Sequence, residues 1–253
     1  MSALNLKAVE IIGHRGASHE APENTLASFQ LAWEQEADAV ELDIRLTGDG
    51  HAIVIHDANT KGATGASKVV AEQPLAELRT LDAGRSKGPQ WRGEKLPTLQ
   101  EAVAMIPEGR RLLIEIKCGP EVLPVLEQVI TASGKRPEQL AIIGFGDETV
   151  RLAKLRLPRL QVYWVVSLKR GRKPAGASAI EDLIAKARAM GVDGLDLEAG
   201  PQIDAAMVRK VHQAGLQLYV WTVDDPELAV RLVVAGVDGI TTNRPGWLRE
   251  RLT

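Results

Sequence analysis

The chain has 253 residues, of which 45% are hydrophobic and 25% are charged, and its formal net charge is −2. The composition is ordinary for a soluble globular protein, and the length suits one large α/β domain or two small ones. The near-neutral charge argues against nucleic acid as the main partner. The single cysteine excludes a disulfide within the chain. Since we find neither a signal-peptide core nor an apolar run of the ~20 residues that span a bilayer, we expect a cytoplasmic protein without stable membrane insertion.

The first predicted elements are a short strand and a helix. An apolar run predicts a buried strand at 8–12, immediately before His14. A polar stretch follows, in which Asn24 or Thr25 is placed to cap a helix whose apolar residues begin at Leu26. His14 therefore lies between the end of this strand and the start of a polar loop.

The second predicted strand, at 40–46, alternates apolar and charged residues. This period of two places Glu41 and Asp43 side by side on one face. Two neighbouring carboxylates on a strand need a shared partner, and a divalent cation is a suitable one. The dipeptide Asp49-Gly50 then predicts a two-residue hairpin loop, which would set Asp43 directly across from His56.

The next segment, 58–95, differs from the rest of the chain because it is rich in Gly, Lys, Ser and Pro. Its main helical run is predicted at about 74–81. The segment is too long for an ordinary connection, so we interpret it as an inserted subdomain or lid on a single domain that spans 1–253.

From Pro97 onward, predicted strands and helices alternate, which is typical of a parallel sheet with crossover helices. The strands are predicted at 111–117, 140–145, 160–166, 194–197, 217–221 and 239–242. A basic loop at 169–174 is expected to be solvated, although at an active rim it would attract an anion.

The strand count favours an α/β fold of the TIM (β/α)8 barrel type. About nine strands are predicted, whereas a closed barrel of this type has eight. The surplus is explained if the strand that ends at His56 is the return arm of a hairpin, because its connection is too short for a crossover helix. The alternative is an open, doubly wound sheet.

Polar and aromatic residues cluster at the predicted C-terminal ends of the strands, where TIM barrels place their active sites. They are His14, Glu41, Asp43, Glu115, Lys117, Trp221 and Asn243. Three carboxylates with no cysteine among them indicate an oxygen-ligand site that selects Mg²⁺ or Ca²⁺ over Zn²⁺. The competing interpretation is simple ion pairing with the nearby bases Arg15, Arg45 and Lys117.

Two histidines in this group, His14 and His56, can supply an acid and a base together. Arg15 and Lys117 add positive charge that suits an anionic substrate, most simply a phosphoester. Trp221 is placed either to pack on an apolar, glycerol-like part of the substrate or to close the edge of the core. The residues alone therefore favour an anionic substrate.

Several short motifs occur in a fixed order along the chain. They are His14-Arg15-Gly16, Pro22-Glu23-Asn24-Thr25, Glu41-Leu42-Asp43, His56-Asp57, Glu115-Ile116-Lys117, Trp221-Thr222-Val223-Asp224 and the run from Gly236 to Pro245. This ordered set resembles the glycerophosphodiester phosphodiesterase family. The family also carries an insertion after its His-Asp motif, which matches 58–95.

The resemblance implies a TIM barrel that hydrolyses a small-molecule glycerophosphodiester to glycerol 3-phosphate and an alcohol. By this match, Glu41, Asp43 and Glu115 bind one divalent cation, Mg²⁺ or Ca²⁺. His14 and His56 are the acid and base, and the match does not say which is which. The nucleophile is either the neighbouring glycerol hydroxyl, by way of a cyclic phosphate, or water.

The remaining motif residues take supporting roles in the same match. Arg15 and Lys117 bind the phosphate, and Trp221 packs on the glycerol. Glu23 and Asn24 organise the site.

The chain departs from the family pattern at two positions. Asn243 stands where many relatives carry Asp, and we expect this change to be tolerated. Asp224 stands where Asn is frequent, and we expect it to alter substrate contacts.

Two other functions compete with this interpretation. A related barrel phosphodiesterase could act on lysophospholipids or on another headgroup. An apolar lid would favour a lipid, yet 58–95 is mostly polar with Trp91 as the main exception. A non-catalytic barrel that binds a metal or phosphate would be expected to lack one of the histidines or carboxylates, and all are present.

Overall fold

The computed structural model describes residues 9–85, 87–168 and 179–252, so the predicted basic loop at 169–174 lies outside the described residues. The strands are β1 (Glu10–His14), β2 (Ala39–Leu46), β3 (Ala52–Val54), β4 (Arg111–Ile116), β5 (Leu140–Gly144), β6 (Gln161–Val166), β7 (Gly194–Glu198), β8 (Gln217–Trp221) and β9 (Gly239–Thr242). The helices are α1 (Leu26–Glu34), α2 (Lys61–Thr64), α3 (Leu75–Leu78), α4 (Leu99–Ala104), α5 (Leu123–Ser133), α6 (Asp147–Arg156), α7 (Ala179–Met190), α8 (Ala205–Gln213), α9 (Pro226–Ala235) and α10 (Pro245–Leu252).

The sheet closes into a barrel, which confirms the predicted TIM fold. Eight parallel strands follow one another in the order β1-β9-β8-β7-β6-β5-β4-β2, and pairing between β1 and β2 completes the ring. The extra strand, β3, pairs antiparallel with β2 outside the ring, as the hairpin interpretation requires. β1 extends to His14, two residues beyond its predicted end at residue 12.

The alternation along β2 determines what enters the barrel. Val40, Leu42 and Ile44 pack outward in the main core between strands and helices. Glu41 and Asp43 therefore point into the barrel interior. Beneath them, a second apolar cluster fills the barrel interior with side chains from alternate strands. Its members are Ile12, Ala39, Leu113, Ala141, Ile143, Tyr163, Val165 and Tyr219.

The helix caps decide which polar residues remain available for other contacts. Thr25, not Asn24, caps α1, and its hydroxyl accepts from the Ser28 amide. Asp225, not Asp224, caps α9 in the same way. Asn24 and Asp224 are therefore left to make contacts of their own.

The predicted two-residue loop of the β2–β3 hairpin is wrong. Ile44 pairs with Val54, and the Thr47 amide donates to the carbonyl of His51 at 2.9 Å, so the loop has one residue more. Gly50, at φ +83°, supplies the left-handed residue that such a three-residue loop requires. Asp43 consequently lies across from Ile55, whose amide donates to the Asp43 carbonyl at 2.9 Å, and His56 comes one residue later.

Segment 58–95 packs on its own apolar cluster at the end of β3. The cluster consists of Ile53, Ile55, Val70, Leu78, Ala83 and Leu96. The predicted helix at 74–81 is present as the single turn of α3. Arg79 forms two 2.7 Å hydrogen bonds to the Glu101 carboxylate on α4, which joins the segment to the barrel. Within residues 9–85, 87–168 and 179–252, no helix combines the length and apolarity needed to cross a bilayer.

Candidate active site

A cavity of about 210 Å³ opens at the C-terminal end of the barrel. Its lining includes seven residues that the sequence assigned to the site: His14, Arg15, Glu41, His56, Glu115, Lys117 and Trp221. The parallel pairing of β1 with β2 and of β2 with β4 brings the first, second and fourth strands together at this rim. The structure therefore assembles the predicted residues in one place.

Three buried carboxylates converge at this cavity. Glu41, Asp43 and Glu115 are 1%, 0% and 7% exposed, and each offers an oxygen that lies within 4.8 Å of the other two. Asp43 and Glu115 are direct register partners on β2 and β4. This grouping depends on the pairing of strands far apart in sequence, and it supports the predicted cluster.

Two oxygens of these carboxylates have no hydrogen-bond donor among the described residues. Glu41 Oε1 and Asp43 Oδ1 are buried and accept no hydrogen bond from them. Buried, unpartnered carboxylate oxygens are costly, and an oxygen-preferring cation would satisfy both atoms. The donor set therefore fits Mg²⁺ or Ca²⁺ better than Zn²⁺.

Burial also shifts the ionisation of the cluster. Burial, followed by the nearby charge of Asp43, raises the pKa of Glu41 well above its usual value. The same two effects raise the pKa of Glu115 to about 7, although Lys117 acts in the opposite direction. Without a cation, Glu41 and Glu115 therefore resist ionisation.

The turns around α1 orient two of the carboxylates. Arg15, Gly16 and Asn24 all have positive φ, of 55°, 84° and 57°. The Arg15 amide donates to Glu41 Oε2 at 2.9 Å, and Asn24 Nδ2 donates to Asp43 Oδ2 at 2.8 Å. Each contact engages one oxygen of its carboxylate and leaves the other available for a cation.

Positive charge lies against the same cluster. Lys117 Nζ lies 2.8 Å from Glu115 Oε1 and 3.7 Å from Asp43 Oδ1. Arg15 Nε lies 3.1 Å from Asp43 Oδ2, and another guanidinium nitrogen lies 3.0 Å from Glu23. The ion pairing that the sequence offered as a competing interpretation is therefore present for Arg15 and Lys117, whereas Arg45 Nε donates to the His56 carbonyl at 2.8 Å. This ion pairing leaves Glu41 Oε1 and Asp43 Oδ1 without a hydrogen bond from the described residues.

Each predicted catalytic histidine has one ring nitrogen engaged. His14 Nδ1 lies 2.7 Å from Asn243 Oδ1, and His56 Nδ1 lies 2.8 Å from Asp57 Oδ1. Burial and the charge of Arg15 lower the pKa of His14, which favours the neutral imidazole. In both residues, Nε2 is the ring nitrogen that takes no part in this contact.

Asp196 on β7 is a site residue that the sequence analysis missed. It is 2% exposed, it lines the cavity, and its Oδ1 accepts no hydrogen bond from the described residues. Burial, with a contribution from Glu115, raises its pKa well above the usual value. The signal was present, because Asp196 interrupts an apolar strand just as Asp43 does.

Aromatic side chains form one wall of the cavity. Trp221 and Phe145 meet edge to face with ring centroids 5.5 Å apart, and Trp221 Nε1 donates to the Asp196 carbonyl at 3.2 Å. Lys117 Nζ lies 5.2 Å from the centre of the Phe145 ring. The cavity thus combines a charged side with an apolar side.

A second cavity, of about 270 Å³, adjoins the first at His56. Barrel loops contribute Ser18, Pro22 and Glu23 to its lining, and segment 58–95 contributes Gly62, Ala63, Ala83 and Lys87. Since His56 lines both cavities, a molecule that fills both would pass this histidine.

Comparisons with known proteins match most of this chain. The model of the glycerophosphoryl diester phosphodiesterase family matches residues 14–247. A glycerophosphodiester phosphodiesterase of Caldanaerobacter subterraneus subsp. tengcongensis is 33% identical over 93% of this chain and 94% of its own. One from Bacillus subtilis is 32% identical over 92% of this chain and 83% of its own.

Solved structures show the same architecture. An Oleispira antarctica phosphodiesterase, in complex with the product sn-glycerol-3-phosphate, superposes with a TM-score of 0.86 at 29% identity, over 97% of each chain. The family match covers most of the described barrel and every predicted site residue. The chain belongs to the glycerophosphoryl diester phosphodiesterase family.

Proposed function

We propose that this chain hydrolyses glycerophosphodiesters to glycerol 3-phosphate and an alcohol, with a divalent cation and two histidines. The observation that carries the proposal is a cluster of three buried carboxylates, two of them with an oxygen that accepts no hydrogen bond from the described residues. Two of the three, Glu41 and Glu115, line a cavity that both histidines also line. A phosphodiester placed there would contact groups that can neutralise its charge and move its protons.

The carboxylates of Glu41, Asp43 and Glu115 would hold the cation. When bound, Mg²⁺ or Ca²⁺ would offset the negative charge that grows on the phosphate oxygens. Arg15 and Lys117 lie against the same carboxylates and would bind the remaining phosphate oxygens. Asn24 and Glu23 hold Asp43 and Arg15 in place.

The apolar wall of Trp221 and Phe145 would pack on the carbon atoms of the glycerol unit. The nucleophile is either the glycerol hydroxyl beside the phosphate or water. In both cases one histidine removes its proton and the other protonates the departing alkoxide.

We place the departing alcohol in the second cavity, beyond His56. A phosphate in the first cavity would then have its ester bond beside His56, which could donate a proton to the leaving oxygen. A larger side chain at Ala63 would narrow this second cavity without touching the carboxylates.

Ala63→Trp is expected to reduce kcat/KM for glycerophosphocholine by roughly tenfold or more, because its large leaving group loses space. The methyl ester of glycerol 3-phosphate, with a very small leaving group, should keep its kcat/KM within about twofold. Ala76→Trp, on the exposed side of α3, is the matched control. Equal loss for both substrates would show that the leaving alcohol lies elsewhere.

The function itself is tested with a substrate panel. Glycerophosphocholine and glycerophosphoethanolamine should release glycerol 3-phosphate, followed with a coupled dehydrogenase, whereas lysophosphatidylcholine should be a poor substrate. Among the described residues of 58–95, Val69 is the exposed large apolar side chain, so the segment does not offer a lipid-binding face. Faster turnover of lysophosphatidylcholine than of either diester would contradict the proposal.

The cytoplasmic location stays a prediction.

A further inference from the structure

Asp224, next to the residue that caps α9, forms three hydrogen bonds with residues at the end of β9. Its Oδ1 accepts from the Thr242 hydroxyl at 2.8 Å and from the Asn243 amide at 2.9 Å, and its Oδ2 accepts from Asn243 Nδ2. Asp225 alone caps α9, accepting from the amides of Glu227 and Leu228. The Asp224 side chain therefore binds residues at the end of β9 and does not cap α9.

These contacts fix the orientation of the Asn243 amide. A carboxylate can only accept hydrogen bonds, so the atom of Asn243 that faces Asp224 must be the NH₂ group. Asn243 Oδ1 then points the other way, where it accepts from the Ser18 hydroxyl at 2.9 Å and lies 2.7 Å from His14 Nδ1. The side chain has no freedom to exchange its oxygen and nitrogen.

The fixed amide in turn selects one form of His14. An amide oxygen cannot donate, so His14 Nδ1 must carry the hydrogen of this 2.7 Å contact. In the neutral ring, Nε2 is then left with a lone pair. This is the form that can accept a proton from a nucleophile in the cavity that His14 lines.

We propose that Asp224 is a positioning residue, which acts through Asn243 to hold neutral His14 as the Nδ1–H tautomer. The inference rests on the proposed function only in giving that tautomer a catalytic use. The proposal also accounts for the two departures from the family pattern, Asp224 and Asn243, because their side chains are hydrogen-bonded to each other. A carboxylate and an amide face each other there, and exchanging them would preserve the contact.

The test uses Asp224→Asn and the exchange variant Asp224→Asn/Asn243→Asp. In Asp224→Asn, the new NH₂ group of residue 224 faces Asn243, so the Asn243 amide is no longer held with its own NH₂ group on that side and His14 loses its single tautomer. In the exchange variant, the amide of residue 224 donates to the carboxylate of residue 243, whose other oxygen accepts from His14 Nδ1. Asp225→Asn, a neighbouring carboxylate that only caps α9, is the matched control.

The primary readout is the ¹⁵N NMR spectrum of the histidine side chains in full-length protein with Mg²⁺, at a pH where imidazoles are neutral. His14 is assigned by difference with His14→Gln. We expect the Nδ1–H signature in the parent protein, in Asp225→Asn and in the exchange variant, and a mixture of tautomers in Asp224→Asn. A His14 that keeps Nδ1–H in Asp224→Asn would overturn the proposal, whatever its activity.

Steady-state kinetics on glycerophosphocholine provide the second readout. Asp224→Asn should lower kcat by roughly tenfold with KM changed by less than about twofold, and the exchange variant should recover most of that loss. An exchange variant no better than Asp224→Asn would count against the proposal. The NMR result does not require turnover, so inactivity of the parent protein on every glycerophosphodiester would refute the proposed function without deciding the tautomer.

Discussion

Exhaustive chelation with EDTA will abolish turnover of glycerophosphocholine, and added Mg²⁺ or Ca²⁺ will restore it. The reason is that Glu41, Asp43 and Glu115 bring together buried oxygens with too few donors among the described residues, while the phosphodiester itself is negatively charged. Without a cation, these like charges oppose substrate binding and oppose the charge that builds up during reaction. Rates are measured before chelation, after it, and after each cation is returned.

Glu41→Gln should have nearly the same effect as chelation, because it removes one ligand charge while preserving the shape of the side chain. We expect a loss of at least about 10²-fold in kcat/KM at limiting cation. Glu108→Gln, an exposed carboxylate in the loop that leads into β4, is the matched control and should behave like the parent protein. Full activity after chelation would remove the cation from the mechanism, and full activity of Glu41→Gln would remove Glu41 from the cation's ligands.

Cation binding can also be measured without turnover, through its pH dependence. Burial raises the pKa of Glu115 from 4.5 to about 7, so the folded protein holds this proton more tightly than the unfolded chain does. The stability of the cation-free protein should therefore fall as the pH rises between these two values. A cation that replaces the proton should raise Tm more at about pH 8 than at about pH 5.5.

The second large effect is expected from the histidines. His14→Ala and His56→Ala should each lower kcat by roughly 10²–10⁴-fold, because each removes a group that moves a proton in the reaction. Both variants should fold, since neither side chain belongs to the apolar clusters of the described residues. Circular dichroism and Tm check the fold, and glycerophosphocholine hydrolysis checks the activity.

His212 provides the matched control for His56. Its Nε2 lies 2.8 Å from an Asp238 oxygen, so it too is a histidine paired with a carboxylate, but it lies on α8 and lines neither of the two cavities. His212→Ala should keep near-parental turnover. Near-parental turnover of His14→Ala or His56→Ala would instead exclude that histidine from the proton transfers.

The sequence predicted the barrel and most of the site because both depend on short-range patterns. Alternation in β2 placed Glu41 and Asp43 on the inner face, and the strand ends placed His14 and Glu115 at one rim. The hairpin register could not be read in the same way. It depends on whether Gly50 adopts the left-handed conformation, and one extra loop residue moves His56 out of line with Asp43.

Contacts between distant residues were also beyond the sequence. The two departures at Asp224 and Asn243 were considered one at a time, although the hydrogen bonds join them to each other and to His14. Asp196 was missed although Glu198 follows it on the same face of β7, in the same alternation as the pair on β2. The strand was predicted to end at residue 197, so this second acid was left out of it. The roles we give to Asp224 and Asn243 follow from hydrogen bonds between residues far apart in sequence, which the sequence alone does not show.

The position of β3 outside the closed ring has a consequence for how such enzymes diversify. The carboxylates stand on β2 and β4, within the ring, whereas His56 follows a strand that belongs to the hairpin and to the cluster beneath 58–95. A different insertion in this hairpin would change the second cavity, where we propose that the leaving alcohol lies, and would leave the strands that carry the carboxylates in place. The range of leaving alcohols would then change during evolution while the carboxylates, and with them the hydrolytic chemistry, stay the same.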